Sequence, residues 1–257
     1  MNYLKLFGIA AFAIGAILYL ASADDHQVIL GDQDYDPGEY VKISVSSNVD
    51  LKVTSGAAYA LNVKGDAEDL KKLKIYVKGR TLVIENRESL FNSWQGSSPE
   101  ITISLPLLRK FTLNGASDAE ITGVHGSSFK VVVNGSGAVS FGGKSDDLTT
   151  EINGSGNVES DDFATSESRV EINGSGSVEL SGSCEQLEIE LNGSGNFTGR
   201  DFICKKAEVD VFGSGDIDVY ASQALDVDVM GSSDVNVYGN PAQVRDHSRK
   251  SSHVVMR

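Results

Sequence analysis

A four-residue motif recurs seven times between residues 115 and 234, and its spacing limits the fold more than any other feature of the chain. The first glycines of the motif are Gly115, Gly135, Gly154, Gly174, Gly193, Gly213 and Gly231, at intervals of 20, 19, 20, 19, 20 and 18 residues. Most copies read Gly-Ser-Gly. Regular self-similarity of this kind is the mark of a repeat architecture. With each first glycine set to zero, the chain falls into columns. Position −2 holds Leu113, Val133, Ile152, Ile172, Leu191, Val211 and Val229. Position +4 holds Ala119, Val139, Val158, Val178, Phe197, Ile217 and Val235. The positions between these apolar ones are mostly polar. Alternation with a period of two predicts two short strands per repeat, each with one buried face.

Two architectures fit such strands. Asn-Gly between alternating apolar residues is also a hairpin signal, which would give an antiparallel barrel or propeller. The solenoid reading is preferred here. A repeat of 19–20 residues is about half a propeller blade. Each column keeps one chemistry, as expected of equivalent residues stacked about 4.8 Å apart. No proline falls between residues 107 and 240, so every coil can donate backbone hydrogen bonds to its neighbour. The expected fold is an all-β, right-handed parallel β-helix. Its seven glycine coils would span about 34 Å. The glycines at zero and at +2 are read as corners that need positive φ or close backbone approach. The residues before them, Asn114, Asn134, Asn153, Asn173 and Asn192, are expected to stack as a structural amide ladder.

The remaining segments are read around this core. Residues 1–23 have the layout of a signal peptide: Lys5, an apolar run from Leu6 to Leu20, then Ala21-Ser22-Ala23. An uncleaved anchor is the alternative, and it would be the chain's one membrane contact. Either way the rest is exported, to the periplasm, the outer-membrane surface or the exterior. Residues 24–39 form a mature N-terminal segment and 40–240 the solenoid domain. Residues 40–112 read as its first coils with an insertion, including a helical turn at Asp66–Lys72 capped by Asp66. Residues 86–99, with Phe91 and Trp94, read as a surface excursion. Residues 241–257 are a basic tail or a last capping coil.

The formal charge of −14 excludes nucleic acid as a partner, because phosphate binding needs a basic face. The acid is concentrated: residues 151–240 hold 18 acids against 4 bases. Position −3 is Glu151, Glu171, Glu190, Asp210 and Asp228, a stack of carboxylates on the solvent side. One reading is a cation-binding stripe, with calcium as the ion considered. The other is a solvated face that keeps a β-rich rod soluble. No other cofactor is implied. Cys184 and Cys204 both lie nine residues before a corner glycine, so they are stacked neighbours, either bridged or two buried thiols. Catalysis has little support. His26, His125, His247 and His253 stand in no triad or metal-ligand spacing, and the carboxylate pairs repeat coil after coil. Tyr220 and Tyr238 are expected to stack near the end of the rod.

With Asn-Gly-Ser-Gly recurring after Val-x-Val strands, the chain resembles the "putative auto-transporter adhesin, head GIN domain" family. The resemblance extends from Val41 through Asn48-Val49-Asp50-Leu51, Thr81-Leu82-Val83-Ile84 and Ile101-Thr102-Ile103 to Val237-Tyr238-Gly239-Asn240-Pro241. It implies an exported bacterial β-helix, adhesin-like, with no catalytic residues to carry over. The function expected is therefore a non-enzymatic binding module of the cell envelope, with an envelope protein or a surface glycan as partner. A structural or envelope-stress component that acts only through protein contacts is the alternative, and a polysaccharide-active enzyme the third reading.

Overall fold

The computed structural model describes residues 26–28, 39–86, 98–249 and 252–257. The expected signal peptide, and Phe91 and Trp94 of the excursion, lie outside the described residues. The rest is a β-solenoid of stacked parallel coils. Each coil contributes one strand to each of two facing sheets, and the repeated glycine motif turns the chain from the first sheet to the second. The pairs Lys110–Gly115 with Asp118–Val124, Ser128–Gly135 with Ala138–Lys144, and Asp147–Gly154 with Asn157–Ala164 show the pattern. The seven corner glycines pair in register from coil to coil.

Register explains the core. Because equivalent residues pair, every apolar column runs unbroken between the two sheets. Leu113, Val133, Ile152, Ile172, Leu191, Val211 and Val229 are all fully buried. Each such side chain contributes roughly 1.5–3 kcal/mol. Phe129, Phe141 and Phe163 stack edge to face along the second bend, with ring centroids 5.4 and 5.2 Å apart.

Five of the seven corners hold a second glycine; Ser117 and Ser233 take its place in the first and the last. Gly154 has φ of 135°, which disfavours any side chain. Gly156 has no such φ. A Cβ there would sit 2.6 Å from Val133 Cγ1 and 2.7 Å from the Gly137 carbonyl oxygen, so space alone demands glycine. Positive φ is thus confined to the first glycine, in every corner but that of Gly231, whereas close approach to the neighbouring coil holds at both positions of the Gly154 corner: a Cβ on Gly154 would also clash with the Gly135 carbonyl oxygen.

Three features depart from a plain repeat. First, the stacking order differs from the chain order. The strands Lys42–Ser46 and Asp50–Ser55 lie between the coil Thr81–Asn86 and Glu100–Leu105 on one side and the coil of Lys110–Gly115 and Asp118–Val124 on the other. The insertion therefore turns back and builds the coil that precedes the first one. Second, the N-terminal end is closed by antiparallel strands: Leu73–Lys78 on Thr81–Asn86, His26–Val28 on Leu73–Lys78, and Ala60–Lys64 on Glu100–Leu105. The helical turn is Ala67–Leu70, with the Asp66 carboxylate accepting from the Glu68 amide. Antiparallel pairing blunts the edge that a parallel stack would leave open. Third, the tail forms a last coil. Gln243–Asp246 pairs with Ile217–Gly231, and His253–Met256 pairs with Asp234–Tyr238.

Candidate functional site

The outer face of the first sheet carries the most ordered polar chemistry of the rod. Its asparagines form a continuous chain of amide hydrogen bonds. Asn134 Nδ2 donates to Asn114 Oδ1 at 2.8 Å, Asn153 to Asn134 at 3.0 Å, Asn173 to Asn153 at 3.2 Å and Asn192 to Asn173 at 3.2 Å. Asn114 begins the chain by donating to Ser46 Oγ at 3.0 Å. In-register pairing puts the amides one coil apart, which is the repeat a side-chain ladder needs.

The last three asparagines use their second N–H on the acidic column. Asn153 donates to Glu151 Oε1 at 3.0 Å, Asn173 to Glu171 at 2.8 Å and Asn192 to Glu190 at 3.0 Å. Three carboxylates of the column are thereby tied to the ladder. Bases hold some of them from the other side. Lys130 pairs with Glu151 at 2.8 Å, and Arg169 reaches Glu188 and, at 3.4 Å, Glu190. The Lys130 ammonium, and then the Asn153 amide, hold the Glu151 carboxyl below its ordinary range.

Further along the rod the acid column changes character. Position −1 becomes Phe212 and then Met230, and the ladder stops. Burial pushes the Asp210 carboxyl up, and Asp228, Glu190, Asp226 and Glu188 push it the same way. Half-buried carboxylates without donors repel one another, which raises the affinity of one of them for a proton. The tail answers part of this charge: Arg245 lies 3.6 Å and His247 4.0 Å from Asp226.

Among the described residues, no group of three or more His, Cys, Asp or Glu side chains is arranged to hold a metal ion. The column's carboxylates are spread one per coil; Glu151, Glu171 and Glu190 are held by amides, and Glu151 and Glu190 by bases as well. Cys184 and Cys204 pair in register at the second bend and are joined by a disulfide, with Cα atoms 4.5 Å apart. Tyr220 and Tyr238 pair in register and are half-buried. His125 Nδ1 lies 2.9 Å from the Gly123 carbonyl oxygen, while His253 faces Asp234 at 3.4 Å. A shallow groove of about 680 Å³ lies on the second sheet's outer face, lined by Asp50, Lys52, Glu100, Asp118, Glu120 and Glu159 among others. Sequence columns pointed to the first sheet's acids and amides. They missed this groove, because part of its wall, Asp50 and Glu100, comes from coils outside the glycine repeat.

Residues 39–241 match the family described as "Putative auto-transporter adhesin, head GIN domain". No curated protein matches the chain. Several solved structures share the fold. A "putative adhesin" of Parabacteroides merdae superposes with a TM-score of 0.80 at 14% identity, covering 91% of this chain and 96% of that one. A "putative lipid binding protein" of Parabacteroides distasonis gives 0.76 at 22% identity, covering 91% and 97%. A "putative adhesin" of Bacteroides fragilis gives 0.66 at 19% identity, covering 92% and 98%. At these identities the likeness shows the fold.

Proposed function

The chain belongs to the auto-transporter adhesin, head GIN domain family, and on that premise we propose that it is an exported, non-catalytic binding module of the cell envelope. Its surface is the working part, and its partner is an envelope protein or a surface glycan. One observation carries this reading. The polar groups of the first sheet are spread along the rod, with the amides of five successive coils tied to one another by the ladder, rather than gathered in one coil. A catalytic site needs one nucleophile or acid–base pair set apart from its surroundings, usually by a shifted pKa. A repeated face instead suits contact with an extended surface, another solenoid included.

Export rests on residues 1–23, whose pattern is that of a secretory signal. Cell fractionation with N-terminal sequencing tests it. The expected result is an envelope or extracellular protein that begins at Asp24, or an intact chain retained in the membrane. A cytoplasmic protein with an intact N-terminus would refute export. A glycan array tests the binding role: selective hits support glycan recognition, whereas a blank array together with co-purified envelope proteins supports action through protein contacts alone.

A further inference from the structure

The outward face of the first sheet is electrically bipolar, and its two halves match each other. Position −5 of successive coils reads Lys42, Lys110, Lys130 and Thr149, then Arg169, Glu188, Glu208 and Asp226. Along this column the face is basic toward one end and acidic toward the other, with Thr81 next to Lys42 and Arg245 next to Asp226 in the flanking coils. Among the described residues, Lys42, Lys110 and Glu208 form no ion pair within the chain. Lys42 and Glu208 are exposed and Lys110 is half-buried.

We propose that this face is the interface of an antiparallel dimer of the chain. A two-fold axis running along the strand direction, between the coils of Thr149 and Arg169, brings each column against itself in reverse order. Lys42 then faces Asp226 of the second copy, Lys110 faces Glu208, and Lys130 faces Glu188. Symmetry doubles these three pairs to six. In the neighbouring column the hydroxyls of Ser44 and Thr112 face Asp228 and Asp210, the carboxylates that lack amide donors in their own chain, and the buried Val132 faces Glu190, which Asn192 and Arg169 hold; at the axis the exposed Asp147 faces Glu167, a like-charge contact that the six opposite pairs outnumber. At the axis Glu151 faces Glu171, and each is already held within its chain, by Lys130 and Asn153 and by Asn173. An isologous contact requires such self-complementarity.

The rest of the rod argues against other ways of pairing. With a net charge of −14, two copies repel unless unlike charges meet. The outer face of the second sheet carries Asp118, Glu120 and Glu159 toward one end, where Lys52 is already paired with Glu100, and Asp216, Asp218 and Asp234 toward the other, so acid predominates at both ends. Size also fits. Eight coils about 4.8 Å apart and strands about 20 Å long give a face near 800 Å² per copy, the area of a standard interface.

The test uses the exported chain and sedimentation equilibrium at up to about 200 µM in physiological salt. The expected result is a reversible dimer whose dissociation constant rises at least ~5-fold in 1 M salt, where the screening length falls to about 3 Å. Two variants are then compared, Lys42→Glu with Lys110→Glu, and Glu208→Lys with Asp226→Lys. Each alone should be monomeric, with a circular-dichroism spectrum unchanged. Mixed in equal amounts they should form a heterodimer, because every reversed charge again meets its opposite. Monomers throughout for the native chain would overturn the proposal. So would a native dimer that persists in both variants, or folded variants that fail to pair when mixed.

Discussion

Replacing Asn153 by alanine removes three hydrogen bonds at one point of the ladder. The amide donates to Asn134 at 3.0 Å and to the Glu151 carboxylate at 3.0 Å, and accepts from Asn173 at 3.2 Å. A neutral bond of this kind is worth about 0.5–1.5 kcal/mol net, and one to a charged group about 1.5–3 kcal/mol. The site is half-buried, so water replaces part of what is lost, and the expected cost is about 2–4 kcal/mol. Asn114→Ala is the control. It loses two neutral bonds, to Ser46 and from Asn134, and should cost about 1–2 kcal/mol. The pH dependence gives a second readout. The Glu151 carboxyl is held low in the folded state by Lys130 and then by Asn153. A lowered carboxyl adds stability above its unfolded pKa and loses it as pH falls through the folded value. The gap between the native chain and Asn153→Ala should therefore be widest near neutral pH and shrink in acid. Urea unfolding at pH 7 and at pH 3.5 measures both effects. Equal costs for Asn153→Ala and Asn114→Ala, or a gap that widens in acid, would refute the argument that the ladder and the acid column form one network.

Other expectations follow from the same structure. Asp210→Asn should stabilise the fold at neutral pH, because burial and the neighbouring carboxylates raise the Asp210 pKa. The sign is opposite to that of Glu151: the native chain gains stability as pH falls and Asp210 takes up its proton, so the variant's advantage should vanish in acid, as thermal melts across pH will show. Thr150→Val should raise stability by about 1 kcal/mol in urea unfolding, because the Thr150 hydroxyl is fully buried with no hydrogen-bond partner in the structure. Replacing Cys184 and Cys204 together by alanine should cost about 3 kcal/mol by the chain-entropy arithmetic for a 20-residue loop. Reduction of the native protein should shift its urea midpoint by a similar amount, and an unchanged midpoint would count against the bridge.

Much of the fold was legible because a solenoid repeats its physics. The columns at −2 and +4 stated which face is buried, and the even spacing of Gly115 to Gly231 stated that coils stack. The asparagines before them could be recognised as ladder material for the same reason. What lay outside the repeat was harder to read. Residues 40–112 carry strands but no shared corner, so nothing in the spacing said that Thr81–Asn86 stacks outside Lys42–Ser46. The second bend has no fixed motif. In one coil it uses Asp162 with φ of 64°, a conformation that aspartate tolerates better than most residues. The ties between Asn153 and Glu151 were also hidden, because column reading compares coils and those bonds lie within one coil. Thr150 occupies an apolar column, and only burial reveals its cost.

The displaced first coil has a consequence for how the chain is made. Lys42–Ser46 and Asp50–Ser55 have partners on both sides, and all of them lie later in the sequence, between Thr81 and Thr122. As synthesis proceeds from the N-terminus, the first partner of Lys42–Ser46, Thr81–Asn86, follows about 35 residues later, and the second, Lys110–Gly115, about 64 residues later. The first-made coil is therefore covered on one side only by the insertion that ends at Leu105, and on the other by Lys110–Val124. From Lys110 onward the coils stack in the order in which they are translated. Under the export proposed above, the leading segment stays unpaired until the insertion that completes it has also arrived.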